Sequence, residues 1–314
     1  MFLGILAGLL TCALWGLTFV AARLVHPFSL FDITIARYGV FGLTCALTML
    51  HPRFRLKGVS GRRIATGMML GIIGYVGYFV LASQAVLLAG PVVPPLIIGI
   101  MPVILPAIAN LMDKTIEWRR LALPLLMIAA GIGVVNVELV AKLDLQGQRM
   151  MLAGAGCAIA ALLVWVLYGI VNARIMRAAE PPGTIDWTNL HGLGALAGSL
   201  VLIPMASNTY QTATTEDLLR FLGWAVVLGM TASWLATWCW SFASRRLPLA
   251  LTAQLIVAET VFGLIFGLTL DARGPTAAEA IGAALQIAGV SLAVHTFTRR
   301  RRAALTAGSD ATPQ

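Results

Sequence analysis

The stretch LIVAETVFGLIFG, residues 255 to 267, places the carboxyl group of Glu259 inside a long apolar run. Pro248 and Asp271 bound this run, which is about long enough to cross a bilayer as one helix, since a spanning helix needs about 20 mostly apolar residues. The stretch therefore predicts a membrane helix with an ionisable residue in its interior. Such a residue is costly in lipid, so its position calls for a physical reason.

The composition extends this prediction to the whole chain. Of its 314 residues, 59% are hydrophobic and only 11% are charged, which is more apolar than a soluble domain can conceal in its core. Similar apolar stretches recur with short polar joints between them, so the sequence predicts an all-α polytopic membrane protein with ten spans. The expected spans are residues 2–22, 30–50, 64–88, 91–112, 119–140, 149–174, 186–206, 218–243, 248–270 and 277–297.

The net charge of +9 comes from an uneven distribution of basic residues. When the joints are assigned alternately to two sides, 16 of the 22 Lys and Arg residues fall on the side of both termini and five on the other. By the positive-inside rule, we expect both termini to be cytoplasmic and the chain to lie in the inner (cytoplasmic) membrane. Contact with anionic lipid headgroups explains the basic excess without a nucleic-acid partner.

The chain also repeats itself. A shift of 158 positions lays PVILPAIANLMDK over TVFGLIFGLTLDA, and at smaller offsets Trp15 meets Trp165 and Asp32 meets Asp186. This pattern predicts two five-helix repeats. The predicted domains are the first repeat, the second repeat, and a basic, then polar, cytoplasmic tail that we expect to be disordered: residues 1–147, 148–298 and 299–314.

Five spans per repeat is an odd number, which has a geometric consequence. If the first repeat starts inside the cell it ends outside, so the second must thread the membrane in the opposite sense. We therefore predict inverted repeats related by a pseudo-two-fold axis in the membrane plane. This architecture is typical of carriers that work by alternating access.

Several stretches resemble the EamA-type members of the drug/metabolite transporter superfamily. They are LWGLTFVAARLVHP (14–27), ARYG (36–39), RRLPLALTAQLIVAETVFGLIFG (245–267), and the endings AAGIGVV and IAGVSLAV of spans five and ten. The resemblance implies export of a small organic metabolite, such as an amino acid or a drug-like compound, in exchange for protons. Where the family often has Glu at the end of span four and Glu-Pro in span nine, this chain has Asp113 and Glu259–Thr260.

The depth of Glu259 defines the candidate site. It lies 11 residues beyond Pro248, about 16 Å along a helix and close to the bilayer midplane. An ionised carboxylate there costs about 2.5–3.5 kcal/mol on insertion scales, so the group should face a cavity, a partner or a proton. We consider three roles: proton coupling or substrate binding in a central cavity, a structural hydrogen bond to a neighbouring helix, and exposure to lipid.

Arg37 is the second charge within a predicted span, about 10 Å from its start at Leu30. It could hold an anionic group of the substrate or gate the outer side. It could equally cap carbonyl groups or pair with another helix. Asp32 is five residues away and so lies on a different helix face, which disfavours a direct pair.

Aromatic and polar residues at helical spacing are candidates for the lining of the cavity. In span eight, Thr231, Trp234, Trp238 and Ser241 are predicted to share one face, and Pro102 is predicted to kink span four at the level of Glu259. The alternative for each aromatic is ordinary packing, and for Pro102 a static bend. The candidate substrate-binding residues are Trp15, Tyr78, Gln84, Pro102, Trp165, Tyr168, Trp234, Trp238 and Gln254.

The sequence contains no HExxH, no GxSxG and no glycine-rich phosphate loop, and its four histidines are scattered. We therefore predict neither an enzyme nor a cofactor or metal site. The predicted function is secondary active transport of a small molecule across the lipid bilayer, with protons as the coupling ion. The alternatives are a passive facilitator or channel and, as the less favoured one, a membrane scaffold that transports nothing.

Overall fold

The computed structural model of the chain describes residues 1–54, 56, 58–89, 97–98, 100–113, 117–140, 148–270 and 272–309. All regular structure within these residues is helical. The fold class is therefore all-α, as the sequence predicts. Residues 90–96, which include the whole PVVPP stretch, and the side chains of Pro102 and Asp113 lie outside what is described.

Helices lie at the predicted positions along the described part of the chain. In order they are α1 (Phe2–Gly16), α2 (Thr18–Leu24), α3 (Leu30–Leu50), α4 (Gly61–Gly71), α5 (Tyr78–Ala89), α6 (Met101–Asp113), α7 (Trp118–Val140), α8 (Gln148–Met176), α9 (Thr184–Val201), α10 (Thr215–Val227), α11 (Ala236–Arg246), α12 (Leu249–Leu255), α13 (Val257–Leu270) and α14 (Ala277–Ser309).

Within the residues that the structure describes, six helical runs are long and apolar enough to cross a membrane. They are Leu30–Leu50, Gly61–Ala85, Leu152–Met176, Thr215–Arg246, Leu251–Leu270 and Ala277–Thr296. The count of ten spans stays a prediction, because the first expected span is divided at Leu17 and the fourth includes residues outside the described ranges.

The outer surface of the helices is strongly apolar. Leu43 and Leu47 on α3 are 58% and 65% exposed, and Leu163 and Leu167 on α8 are 62% and 54% exposed. In water such a surface would cause aggregation. Lipid is the solvent that suits it.

The helices of the two predicted repeats are interleaved. Helix α3 packs along α9, α7 along α14, and α6 along α12. Helix α5 packs on α8, and α1 on α11. Each pair joins one helix from residues 1–147 to one from residues 148–298, so the central contacts of the protein form between its halves.

Two π-helical segments interrupt the α-helices. The segment π1 (Ile72–Gly77) joins α4 to α5, and π2 (Leu228–Leu235) joins α10 to α11. Each of these segments is in close contact with a helix of the other half. A Cβ atom at Gly74 would lie 2.6 Å from the ring of Tyr168, and one at Gly229 would lie 2.6 Å from Val40.

Two further interruptions separate short helices. Leu17 lies between α1 and α2, and Ile256 between α12 and α13. At the first break the Thr18 hydroxyl donates to the carbonyl of Trp15 at 2.6 Å. At the second, the Cys12 thiol donates to the carbonyl of Leu255 at 3.1 Å. Side chains thus satisfy backbone groups near each break, as burial in a membrane requires.

The last helix is longer than the sequence suggests. Helix α14 continues through Ser309 and so includes most of the tail, residues 299–314, that we expected to be disordered. The run RRRRAAL consists of residues with high helix propensity and follows a spanning helix without a breaker, which accounts for the continuation, and the disorder of the tail stays a prediction. Residues 310–314 lie outside the described ranges.

Glycines bring α9 into backbone contact with α4. A Cβ atom at Gly194 would collide with the carbonyl oxygen of Met68, and one at Gly71 with the carbonyl oxygen of His191. Small residues at such crossings let helices approach closely in the absence of a hydrophobic driving force. The α4–α9 crossing is therefore intolerant of any added methyl group.

We predict that Gly194→Ala will destabilise the protein by about 1–3 kcal/mol, because the methyl group must displace backbone rather than a flexible side chain. The measurement is the thermal unfolding midpoint in detergent. Gly156→Ala is the matched control, since a Cβ atom at Gly156 meets nothing within 4 Å. Equal midpoints for the two variants would contradict the close crossing.

Candidate functional site

Glu259 lies in the first turn of α13, just after the break at Ile256, and its amide donates to the carbonyl of Ile256 at 2.9 Å. Helix α1 packs directly on this turn. A Cβ atom at Gly16 would lie 3.1 Å from the carbonyl oxygen of Glu259 and 2.8 Å from Cβ of Phe262. The absence of a side chain at Gly16 thus allows α1 to cover the turn that carries the carboxyl group.

The carboxyl group of Glu259 is directed into the protein. Arg37, Tyr78 and Cys12 lie within its electrostatic range, and helices enclose it although part of its surface stays accessible. Among the described residues, no side chain forms a hydrogen bond or an ion pair with this carboxyl group.

Arg37 reaches from α3 to π2. Its Nε atom donates to the hydroxyl of Ser233 at 2.7 Å, and one terminal nitrogen donates to the carbonyl of Ala232 at 3.1 Å. Its guanidinium also lies 5.2 Å from the centre of the Tyr38 ring. The arginine therefore holds two helices together, while its charge remains the nearby positive partner of Glu259.

Aromatic side chains surround the same region. The ring of Trp165 lies 5.3 Å from Trp15, 5.2 Å from Tyr78 and 4.9 Å from Tyr168, on which it stacks. These four residues are sequence-predicted candidates, and the structure brings them together. Their contacts fit both alternatives, a wall of flat apolar surface for a ligand or the packed core between halves.

Trp240 and Tyr75 also belong to this cluster, and Trp240 was not among the sequence-predicted candidates. Trp240 lies 5.4 Å from Trp15. The Tyr75 hydroxyl lies 2.7 Å from the hydroxyl of Thr237 and 3.0 Å from that of Tyr168. Tyr75 therefore links π1 to two helices of the other half.

The predicted polar face of span eight crosses the π-helical segment π2. The expected face of Thr231, Trp234, Trp238 and Ser241 assumes a regular α-helix, whereas π2 widens the turn and changes the register of the residues that follow. Trp238 packs against Phe242 with ring centres 5.6 Å apart, and Trp240 packs against Trp15 at 5.4 Å.

The remaining candidates lie at varied positions. Trp234 packs against the cluster, with a buried indole nitrogen that has no partner among the described atoms. Gln254 is fully buried, and neither end of its amide has a partner in the described part of the chain. Gln84 is half-buried on α5, without a described contact to the cluster. The side chain of Pro102 lies outside the described residues.

Asp32 and His191 also have defined surroundings. Asp32 caps α3 through Ser29 and accepts hydrogen bonds from the amide and hydroxyl of Ser207, at 2.8 and 2.6 Å, so it is engaged away from Arg37. The ring of His191 is fully buried, 5.9 Å from Tyr75 and 5.0 Å from Trp187. Within the described ranges, no three His, Cys, Asp or Glu side chains gather into a metal site.

Comparison with known proteins places this geometry in context. No family model matches the chain. The chain is 30% identical over 303 residues to the inner membrane protein YtfF of Escherichia coli (strain K12), and the match covers 93% of this chain and 94% of that protein. The chain belongs to the YtfF family. With the six apolar helical runs, this membership identifies an integral membrane protein.

A second relative and a solved structure extend the comparison beyond the YtfF family. The chain is 23% identical over 196 residues to YyaM of Bacillus subtilis (strain 168), named as an uncharacterized transporter, over 60% of this chain and 61% of that protein. A protein of known crystal structure matches with a TM-score of 0.75 at 19% identity, over 94% of this chain and 98% of its own. That match shows a shared fold.

Beside the site, a buried polar chain fixes the helices of this YtfF-family protein. The indole nitrogen of Trp187 donates to the side-chain oxygen of Asn172 at 2.8 Å, and the Asn172 amide donates to the hydroxyl of Ser244 at 3.2 Å. Trp187 and Asn172 are fully inaccessible. These hydrogen bonds join α9, α8 and α11, and their role is structural.

We expect Asn172→Val to lower the free energy of unfolding by about 1–3 kcal/mol, because it leaves the buried indole of Trp187 without an acceptor. Thermal unfolding in detergent measures the change. Thr44→Val is the control, since the Thr44 hydroxyl donates within its own helix to the carbonyl of Val40 at 2.8 Å. A larger loss in the control would contradict the assigned role of Asn172.

Proposed function

We propose that this protein is a secondary active transporter that exports a small organic metabolite across the inner membrane by alternating access, in exchange for protons. The observation that carries the proposal is the position of Glu259. Glu259 is half-buried among helices, its carboxyl group has no described hydrogen-bond partner, and the charge of Arg37 is close enough to affect it. Membership of the YtfF family and similarity to YyaM, which is named as a transporter, support it.

The mechanism that we propose uses two inverted five-helix repeats, residues 1–147 and 148–298, of the kind found in EamA-type transporters. The arrangement of helices supports this reading. If each helix is replaced by its counterpart in the other half, the α5–α8 contact becomes the α11–α1 contact. The α3–α9, α6–α12 and α7–α14 contacts are unchanged, because each of them joins two counterparts. It also converts π1 into π2. Two nearly equivalent halves can exchange conformations and open one site to either side in turn.

In this mechanism the carboxyl group of Glu259 binds either a proton or the substrate. An unpaired carboxylate in a site of low polarity is unfavourable, so release of one occupant favours binding of the other. Arg37 limits this cost because its positive charge is nearby. We assign Trp15, Trp165, Tyr78 and Tyr168 to contacts with the flat apolar part of the substrate, and Gln254 to a hydrogen bond.

The proposed orientation has both termini in the cytoplasm. Its support is the excess of Lys and Arg in the joints on that side of the chain. The substrate itself is assigned only as a class, a small organic metabolite such as an amino acid or a drug-like compound.

The test is transport by purified protein in proteoliposomes with an imposed pH gradient, with a panel of metabolites as substrates. We expect Glu259→Gln to reduce proton-driven transport at least tenfold while the protein remains folded, because the amide cannot exchange a proton. Glu259→Asp should retain part of the activity. If the Gln variant transports at the native rate with the native pH dependence, Glu259 is not the coupling group.

The same vesicles separate a carrier from a passive facilitator. A coupled carrier accumulates substrate against its own gradient when a proton gradient is imposed, whereas a facilitator only equalises the concentrations. We expect uphill movement that collapses when a protonophore is added. Downhill movement that is insensitive to the protonophore would identify a facilitator instead.

A further inference from the structure

The two π-helical segments lie at corresponding positions of the chain. Tyr75 in π1 and Ser233 in π2 are 158 residues apart, the same shift that overlays residues 102–114 on 260–272. Neither segment contains proline, so a missing backbone donor is not the cause of the wide turns. The chain thus carries the same irregularity twice, at one level of its fold.

Both of these residues bond to the opposite half of the protein. The hydroxyl of Ser233 accepts from Arg37, which lies on α3 of the first half, at 2.7 Å. The hydroxyl of Tyr75 lies 2.7 Å from that of Thr237 and 3.0 Å from that of Tyr168, both in the second half. Each π segment is therefore tied to the other half through its own side-chain hydroxyl.

The two ties lie close together along the bundle, because Arg37 bonds to Ser233 and the adjacent Tyr38 lies 6.1 Å, ring to ring, from Tyr75, but they are displaced toward different sides. Arg37 follows the start of α3 at Leu30 by about two turns, and His191, whose ring lies 5.9 Å from Tyr75, follows the start of α9 at Thr184 by about two turns. In the proposed inverted arrangement, α3 and α9 start on opposite sides of the membrane. The Ser233 tie is then nearer the Leu30 side, and the Tyr75 tie nearer the Thr184 side.

We propose that π1 and π2 are paired hinges and that their cross-half hydrogen bonds act as alternating locks. The Arg37–Ser233 bond holds the Leu30 side closed, and the bonds of Tyr75 to Thr237 and Tyr168 hold the Thr184 side closed. This inference rests on the proposed alternating-access function. Both locks are formed in the structure, which corresponds to an occluded state with the site around Glu259 closed to both sides.

The hinge role follows from the geometry of a π turn. Such a turn holds one extra residue and longer-range hydrogen bonds than its α-helical neighbours, so passing that residue along the helix changes the bend and rotates the side chains beyond it. In π1 the rotation would carry Tyr75 away from Thr237. In π2 it would carry Ser233 away from Arg37. The cross-half hydrogen bond then breaks in the same step in which the helix that carries it bends.

The test measures from which side the centre of the protein can be reached. In a chain whose Cys12 is replaced by Ser and whose other cysteines are replaced by Ala, Leu14→Cys places one thiol beside the aromatic cluster, against which Leu14 packs. The rate of alkylation by a membrane-impermeant maleimide is measured in sealed vesicles of each orientation. The ratio of the two rates reports the balance of outward-open and inward-open states.

We expect Ser233→Ala to shift the ratio about fivefold toward the Leu30 side, the change expected from loss of one hydrogen bond. Tyr75→Phe should shift it by a similar factor toward the Thr184 side, and Thr237→Val should act in the same direction as Tyr75→Phe. Ser233→Thr keeps the hydroxyl and should restore the ratio. A merely structural role would lower stability without producing shifts of opposite sign.

Thr231→Val is the matched control within π2, because the Thr231 hydroxyl donates to its own helix at the carbonyl of Val227, at 2.7 Å. Its ratio should equal that of the parent. Shifts in the same direction for Ser233→Ala and Tyr75→Phe, or no shift in either folded variant, would overturn the proposal. The labelling requires no transport, so it can succeed or fail independently of the Glu259→Gln assay.

Discussion

The interior of a bilayer offers no water, so every polar group placed there has to be satisfied by the protein itself. This constraint explains most of the polar contacts in the structure. The Cys12 thiol and the Thr18 hydroxyl bond to backbone carbonyls beside the helix breaks, and Asn172 joins the indole of Trp187 to Ser244. Glu259 contrasts with these residues, because its carboxyl group has charges in range and no described bond, and the side chains of Gln254 and Trp234 also have polar atoms without a described partner.

Close packing at glycines makes these contacts possible. Helix α9 touches the backbone of α4 at Gly71 and Gly194, and α1 touches that of α13 at Gly16. Because these crossings leave no room for side chains, the two halves interleave rather than lie side by side. Arg37 can then reach Ser233, 196 positions away in the sequence, and Tyr75 can reach Thr237. Helix crossings without side chains thus set the distances in the candidate site.

The positions of the helices could be predicted from sequence because the thickness of a bilayer fixes the length of an apolar run. The location of Glu259 inside such a run followed directly. Contacts within the site could not be predicted to the same degree. Trp240 belongs to the aromatic cluster, and the π turn at Leu228–Leu235 precedes it without a proline or a local motif that would predict the turn. The break at Ile256 could not be predicted from sequence either, since its neighbours are ordinary apolar residues.

The irregular points of the backbone are concentrated around one level of the protein. Leu17 follows the residues that cover Glu259, Ile256 precedes it by three positions, and Tyr75 in π1 belongs to the surrounding cluster. Non-helical backbone persists at membrane depth only where protein or a cavity surrounds it. Bending at any of these points would alter the surroundings of the carboxyl group, and a change in the charge of that group would in turn alter the free energy of each bend. The charge of the Glu259 carboxyl group and the bending of the nearby helices are therefore coupled because they lie at the same place.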